Sequence, residues 1–450
     1  MTGTPSTRGT PTATALRTPA PATGRYRWVV LGTATYTQAA TCFFVQGIGA
    51  LGVVLRRELD LSATQLGLLL SAAQLVPLVG LPVAGELLDR FDERRVVGVG
   101  AGVVAAGLAL GSLAPDHVSL LLALLVVGAG YSTAQPGGSA AVASWFDPSR
   151  RGLAMGVRQA GLPLGGALAA AGLPVLAEAC GLRVALLAGS LVALSGAIAF
   201  VALYRRPPGR ARRDGAPQPA AGARPGRRRD ARLGTWLVTW LGVRLRMLRE
   251  PSMVRISLSG AGLVSVQCGI GVLTVLHLHD TTSLGTGRAA LVLVVAQGAG
   301  VVGRIGLAAW SDRRPSGRHG VVVTCMAAVI AGMTLVMTPL AHAPVAAGLL
   351  FGWLGFFGIG WYGPWVAHVV ESAPPGRTGL TLGLAMATNQ VAVVLVPPAL
   401  GLITDATHGF AAAWGFLVAL TAFALAATAR SGRRDRRGAA ASAARPSGPR

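Results

Sequence analysis

Apolar residues fall in long blocks along this chain, and the blocks share one length. "VVGVGAGVVAAGLALGSLA" (Val96 to Ala114) and "VSLLLALLVVGAGYSTA" (Val118 to Ala134) are two of them. An α-helix rises 1.5 Å per residue, so about 20 apolar residues cross the roughly 30 Å of hydrocarbon in a bilayer. Lipid offers no hydrogen-bond partners, so only helices or closed barrels can satisfy their backbones there. The blocks are continuous rather than alternating with period two, which selects helices over barrel strands. Blocks and breaks predict twelve spans, at 28–55, 62–88, 96–114, 118–144, 152–177, 183–204, 253–278, 288–310, 320–340, 344–370, 379–403 and 410–430.

One connection is long. Residues 205–252 are rich in Pro, Gly and Arg, cannot bury a core, and read as a cytoplasmic linker between six-helix bundles at 28–204 and 253–430. Inside it, "TWLVTWLGVRLRMLRE" (residues 235–250) predicts an amphipathic helix on the anionic inner leaflet, or else an extension of span seven. Residues 1–27 and 431–450 are polar or Arg-rich and predict disordered cytoplasmic tails. The expected fold class is an all-α membrane protein, with twelve transmembrane helices in two pseudo-symmetric six-helix bundles.

Composition agrees: 13% of residues are charged and mean hydropathy is +0.56, against roughly 25% charged in soluble domains. The net charge of +23 would suit a nucleic-acid binder, but the forty basic residues, all Arg, sit in tails and alternate loops. The expected surroundings are a lipid bilayer and not nucleic acid. One set of loops holds Arg90, Arg94, Arg95, Arg150, Arg151, Arg313, Arg314, Arg318 and Arg377. The opposite set holds only Arg56, Arg57, Arg183 and Arg288. By the positive-inside rule both termini are cytoplasmic, and the protein is expected in the plasma (inner) membrane. Cys42, Cys180, Cys268 and Cys325 are isolated, without ligand spacing, so neither a metal site nor a disulfide framework follows. No nucleotide loop, catalytic triad or metal cluster is present, so neither an enzyme nor a cofactor is implied, and the expected assembly is a monomer.

The chain repeats itself. "GLAMGVRQ" (Gly152 to Gln159) returns 231 residues later as "GLAMATNQ" (Gly383 to Gln390), although the whole chain has only eight Met. At an offset of 223, Gln74 aligns with Gln297, Gly80 with Gly303, Asp89 with Asp312 and Arg90 with Arg313. Spans two and five thus recur as spans eight and eleven, the pattern of a duplicated transporter with its substrate site between the halves.

On these residues the chain from Trp28 to Arg430 resembles the major facilitator superfamily, with a leaning toward its organic and inorganic anion branches (cyanate-, nitrate- and monocarboxylate-like). The family's loop signature after span two reads Gly-x-x-x-Asp-Arg-x-Gly-Arg-Arg. Here "GELLDRFDERR" keeps Gly85, Asp89, Arg90 and Arg94, with Asp92 and Glu93 replacing the loop Gly and first Arg. The second-half copy keeps Gly303, Asp312, Arg313 and Arg314. The resemblance implies that Gly85, Asp89, Arg90, Arg94, Asp312 and Arg313 form charge-assisted locks at the cytoplasmic helix ends. It also implies a central cavity lined by spans one, four, seven and ten. In sugar facilitators a polar pair in the fifth helix is Asn-Gln; this chain has Arg158 and Gln159 there. "GLPLGG" is a near miss to the Gly-Pro signature of drug/proton antiporters.

Polar groups inside apolar helices are expensive and mark function. Arg158 lies seven residues beyond Arg151, roughly 10 Å into the membrane, and Arg304 lies eight residues before Asp312 at similar depth. The acidic residues fall in loops, tails or near helix ends, so two fixed positive charges lack buried counter-ions and point to an anionic guest. Either Arg can instead reach the interface or bond a neighbouring carbonyl. Candidate substrate contacts are Arg158, Gln159, Arg304, Asn389, Gln390, Gln38, Tyr131, Gln135, Gln267 and Tyr362, with Tyr36, Gln46, Trp361 and Trp365 as further polar or aromatic candidates. Pro136 and Pro364 are expected to break spans four and ten. His277, His279 and His368 read as surface or capping residues rather than a proton relay.

The expected function is a secondary transporter that moves a small organic or inorganic anion by alternating access, with a coupling proton as an open question. The alternative is an exporter of neutral or hydrophobic compounds, and a third class is a non-transporting sensor.

Overall fold

A computed structural model describes residues 21–146, 148–207, 250–282, 284–313, 317–373 and 378–443. Of the expected tails at 1–27 and 431–450, residues 1–20 and 444–450 lie outside the described residues, as does the amphipathic helix at 235–250 except Glu250. The described chain is helical between short turns. Span one is Pro21–Gly47 followed, after a 51° bend, by Gly52–Leu59; then come span two (Ala63–Arg90), span three (Glu93–Gly111) and span four (His117–Trp145). Span five is Pro148–Gln159 plus Gly161–Cys180, and span six is Leu182–Leu203. The second half holds span seven (Pro251–Thr281), span eight (Thr286–Arg313) and span nine (Gly317–Val336), then span ten as Pro344–Gly358 plus Tyr362–Glu371, span eleven (Thr378–Thr407) and span twelve (Ala411–Ala443).

Eleven of these are long and apolar enough to cross a bilayer singly, and the bent pair of span one makes the twelfth. Helix boundaries follow local chemistry. Ser62 and Gln65 form a capping box ahead of span two, Asp116 and Ser119 another ahead of span four, and Asp92 caps span three. Pro251 and Pro344 stand at first-turn positions, where a missing N–H costs nothing.

The helices at both ends outrun the expected spans: the first begins at Pro21, ahead of Trp28, and the last runs to Ala443, although its apolar membrane-crossing stretch, Ala411–Ala429, falls within the expected 410–430. The two proline expectations differ from the structure. Span four continues through Pro136 without a break, because a proline interrupts only one hydrogen bond of a helix otherwise held by its neighbours. Span ten does break, but at Ile359–Trp361, ahead of Pro364.

The halves meet along two seams. Span two packs on span eleven, and span five on span eight. At the end bearing few Arg residues the first seam is backbone against backbone: a Cβ on Gly67 would lie 2.5 Å from the Pro397 carbonyl oxygen, and one on Gly401 would strike the Ala63 carbonyl. Ser71 Oγ donates to the Val394 carbonyl at 2.6 Å, and Arg56 approaches Asp280 at 3.5 Å, joining spans one and seven at the same end. That end is closed. Toward the Arg-rich end the same faces part: Gly85 lies about five turns along the Gly67 face of span two and Gly383 about five turns along the Gly401 face of span eleven, and a Cβ on either would meet nothing within 4 Å.

Candidate functional site

Between the halves lies a cavity of about 190 Å³ at mid-depth. Spans one, four, seven and ten contribute to it, as the resemblance implies, but spans two, five, eight and eleven contribute as well. The helix breaks at Ala160 in span five and Ile359–Trp361 in span ten both abut it, which frees backbone beside a polar site.

Carboxamides dominate the polar wall. Gln135 and Gln159 enter from the first half, and Gln267, Asn389 and Gln390 from the second. Tyr131, Tyr362 and Arg304 complete the predicted residues that reach the cavity. Gln46 and Trp361 join them. Gln74 and Gln297 were not among the candidates; their matched positions in the duplication were the available signal. Apolar side chains such as Val45, Leu70, Leu81, Val272 and Pro397 fill the remainder.

Among the described residues Arg304 is the only lining residue with a fixed charge, and no Asp, Glu or His lines the cavity. Its Nε donates to the Ile359 carbonyl at 3.3 Å and its Nη1 to the Gln159 carbonyl at 2.8 Å, across the seam of spans five and eight. The guanidinium lies 5.3 Å over the Tyr362 ring. Two of five N–H donors are thus used on carbonyls that the helix breaks expose, and the rest remain for a guest.

Arg158 and Gln38, both expected as substrate contacts, stand behind the cavity wall in this conformation rather than in it. Successive helical residues point about 100° apart, so with Gln159 facing the cavity, Arg158 turns toward spans one and four. There it is fully buried. Its Nη2 donates to Gln38 Oε1 at 2.9 Å, the Ala134 carbonyl at 3.0 Å and the Gln135 carbonyl at 2.7 Å, while Nε and Nη1 have no partner. Gly138 leaves room for this placement, since a Cβ there would sit 2.8 Å from Nε and the guanidinium would have to shift. Tyr131 and Tyr362 lie within electrostatic reach of both guanidinium groups. Arg158 therefore adds field behind the wall rather than a contact in it.

Three other candidates face elsewhere. Tyr36 is 46% exposed and pairs with Ser195 Oγ at 2.7 Å. Trp365 is buried with its Nε1 donating to the Ile256 carbonyl at 3.2 Å. His277 is buried against Phe410 and Trp414 rather than at the surface.

At the Arg-rich end the signature residues make contacts inside one half. Arg94 donates through Nε to the Val201 carbonyl, and Asp92 and Glu93 approach Arg206 at 3.3 and 3.4 Å. This shows where the two departures from the signature spend their charge: they tie the loop to the end of span six. Arg90 and Arg313 are exposed, Gly85 stands in open space, and the side chains of Asp89 and Asp312 lie outside the described residues.

The duplicated architecture and central cavity find their match in one family model, described as Major Facilitator Superfamily, over residues 34–397. The chain belongs to the major facilitator superfamily. Members of this superfamily are transporters rather than enzymes. The chain is similar to an uncharacterized MFS-type transporter of Mycobacterium tuberculosis, with 26% identity over 383 residues, covering 85% of this chain and 80% of that one. A hexuronate transporter of Bacillus subtilis is 27% identical over 151 residues, covering 34% of this chain and 36% of its own. The superfamily fold is shared with a bacterial homolog of the human lysosomal transporter Spinster in an inward-facing and occupied conformation. The TM-score is 0.69 at 15% identity, covering 91% of this chain and 97% of that one.

Proposed function

We propose that this superfamily transporter carries a small organic anion by alternating access, and that the described conformation opens toward the cytoplasm of a cell whose plasma membrane it spans. One observation carries the reading: among the described residues the cavity's single fixed charge is Arg304, backed by buried Arg158, with no acidic side chain in the wall. A buried cation without a counter-ion is costly, and a bound carboxylate or similar group offsets that cost with charge-assisted hydrogen bonds. The carboxamides supply donors and acceptors for the rest of the solute. A cavity of about 190 Å³ falls below the roughly 300–1,000 Å³ that hold drug-sized ligands, which favours a small guest. Relatives named as hexuronate, probable L-galactonate and probable sulfoacetate transporters support an anionic class.

The positive-inside rule supports a cytoplasmic Arg-rich end with both termini on that side. With no carboxylate or His in the wall, a coupling proton has no acceptor there that titrates near neutrality. Uptake of a sulfonate, ionised throughout, is expected to stay flat from about pH 6 to 8 in proteoliposomes.

The deciding experiment is a screen of small carboxylates and sulfonates against apolar dyes by thermal shift, followed by counterflow of the best binder into proteoliposomes. Saturable anion counterflow that Arg304→Leu lowers roughly 10- to 100-fold is the expected result. Stabilisation by dyes alone would replace this reading with export of neutral or hydrophobic compounds, which Trp361, Tyr362 and the apolar wall favour.

A further inference from the structure

Span two begins at the closed, Arg-poor end, and its first four backbone N–H groups have no partners within their own helix. All four are accounted for. Counting from the cap, Ser62 N–H donates to Gln65 Oε1 at 2.9 Å and Gln65 N–H to Ser62 Oγ at 3.1 Å, both local. The other two are taken by a residue more than 340 positions away in the opposite half. Ala63 N–H donates to Asp405 Oδ1 at 2.9 Å, Thr64 N–H to Asp405 Oδ2 at 2.8 Å, and Thr64 Oγ1 to Oδ2 at 2.5 Å. Asp405 belongs to span eleven, so a carboxylate from one bundle caps a helix of the other.

This arrangement has three properties of a releasable latch. Charge and geometry suit it, because a carboxylate at a helix N-terminus meets both the macrodipole and two aligned N–H groups. It crosses the interface that must part when the closed end opens. It also sits where Gly401 lets span eleven press on the Ala63 backbone, so the carboxylate comes within reach only when the seam is shut. The Arg56–Asp280 pair at the same end is 3.5 Å long, with both side chains 35–40% exposed, and such pairs contribute little. At the duplication's offsets, Asp405 corresponds to Pro174, and Ala63 and Thr64 correspond to Thr286 and Gly287. The other seam therefore has no equivalent carboxylate.

We infer that Asp405 is a gate-positioning residue: its carboxylate, capping span two across the halves, holds the Arg-poor end closed and must let go in each transport cycle. The inference requires alternating access but not an anionic substrate, so it stands or falls separately from the substrate reading.

Cys268 reports the state of the gate, since it lines the cavity while Cys42 and Cys325 are buried. Cys180 is exposed and is removed by Cys180→Ser. In that background a membrane-impermeant thiol reagent is applied separately to each face of sealed vesicles holding the full chain. Asp405→Ala is expected to raise Cys268 labelling from the Arg-poor face by roughly five-fold or more and to lower it from the Arg-rich face. Asp405→Asn loses the charge and turns one accepting oxygen into a donor, so it is expected to lie between Asp405→Ala and the parent. Thr64→Val, which removes one hydrogen bond and leaves both N–H groups capped, is expected to shift labelling in the same direction by less. Unchanged labelling for Asp405→Ala overturns the inference. So does an equal rise from both faces with a lowered melting temperature, which would make Asp405 a structural cap only. If Asp405→Ala does not fold, the Thr64→Val shift decides.

Discussion

The two seams of this transporter are copies of one another, yet each carries a polar connection that its twin lacks. The seam of spans five and eight is joined near the Arg-rich side by Arg304, donating to the Gln159 carbonyl at 2.8 Å. Its counterpart in the seam of spans two and eleven, at the offset of 223, is Leu81. There the equivalent of Gln159 is Gln390, which instead donates from its own Nε2 to the Gln74 carbonyl at 2.8 Å. Arg158 likewise corresponds to Asn389, and Pro174 to Asp405. Both cations thus lie on one seam, and the carboxylate latch lies on the other. A symmetric frame supplies two seams with matched packing, and charge makes them unlike: one carries the cations proposed to hold the solute, the other the carboxylate proposed to hold a gate.

Making the seams alike is the strongest test. Arg304→Leu copies the neutral seam onto the charged one and is expected to lower kcat/KM for anion uptake roughly 10- to 100-fold, with a smaller change in melting temperature. Arg158→Ala should behave in the opposite proportion. It removes three hydrogen bonds from a fully buried group and strands Gln38 Oε1, so stability in detergent should fall by about 2 kcal/mol, and uptake should fall with it. If the two variants show the same ratio of affinity loss to stability loss, the distinction between a wall cation and a supporting cation fails.

Gln390→Ala probes the neutral seam. Losing the hydrogen bonds of its Nε2 to the Gln74 carbonyl and, at 3.4 Å, to Gln74 Oε1 should cost about 1 kcal/mol and change uptake only a few-fold. Arg206→Ala lies outside both seams, on exposed ion pairs to Asp92 and Glu93, and is expected to move the melting temperature and uptake very little. A large effect there would show that the loop between spans two and three couples to the seams after all.

Much of this molecule was legible in the sequence because the bilayer imposes one rule everywhere. Backbone in hydrocarbon must bond to itself, so apolar blocks of about 20 residues become helices whatever surrounds them. The twelve spans, the two halves and the candidate cavity residues Gln135, Gln159, Gln267, Tyr131 and Tyr362 follow from block length, duplication and the cost of polar groups in lipid. Gln74 and Gln297 were visible as matched letters, yet matching alone could not say that they face a cavity rather than each other's bundles.

What only the tertiary structure decided is which way each side chain points and what lies opposite. Arg158 and Arg304 have the same depth and charge along the chain, but the break after Gln159 and the space beside Gly138 turn Arg158 inward, while Arg304 remains in the wall. Asp405 reads as a polar residue near a helix end, and nothing local marks its partners, which lie more than 340 residues away. The sequence determines hydropathy and period, which are sums along the chain. Hydrogen bonds between halves depend on helix rotation and seam geometry, which are set by packing across the interface.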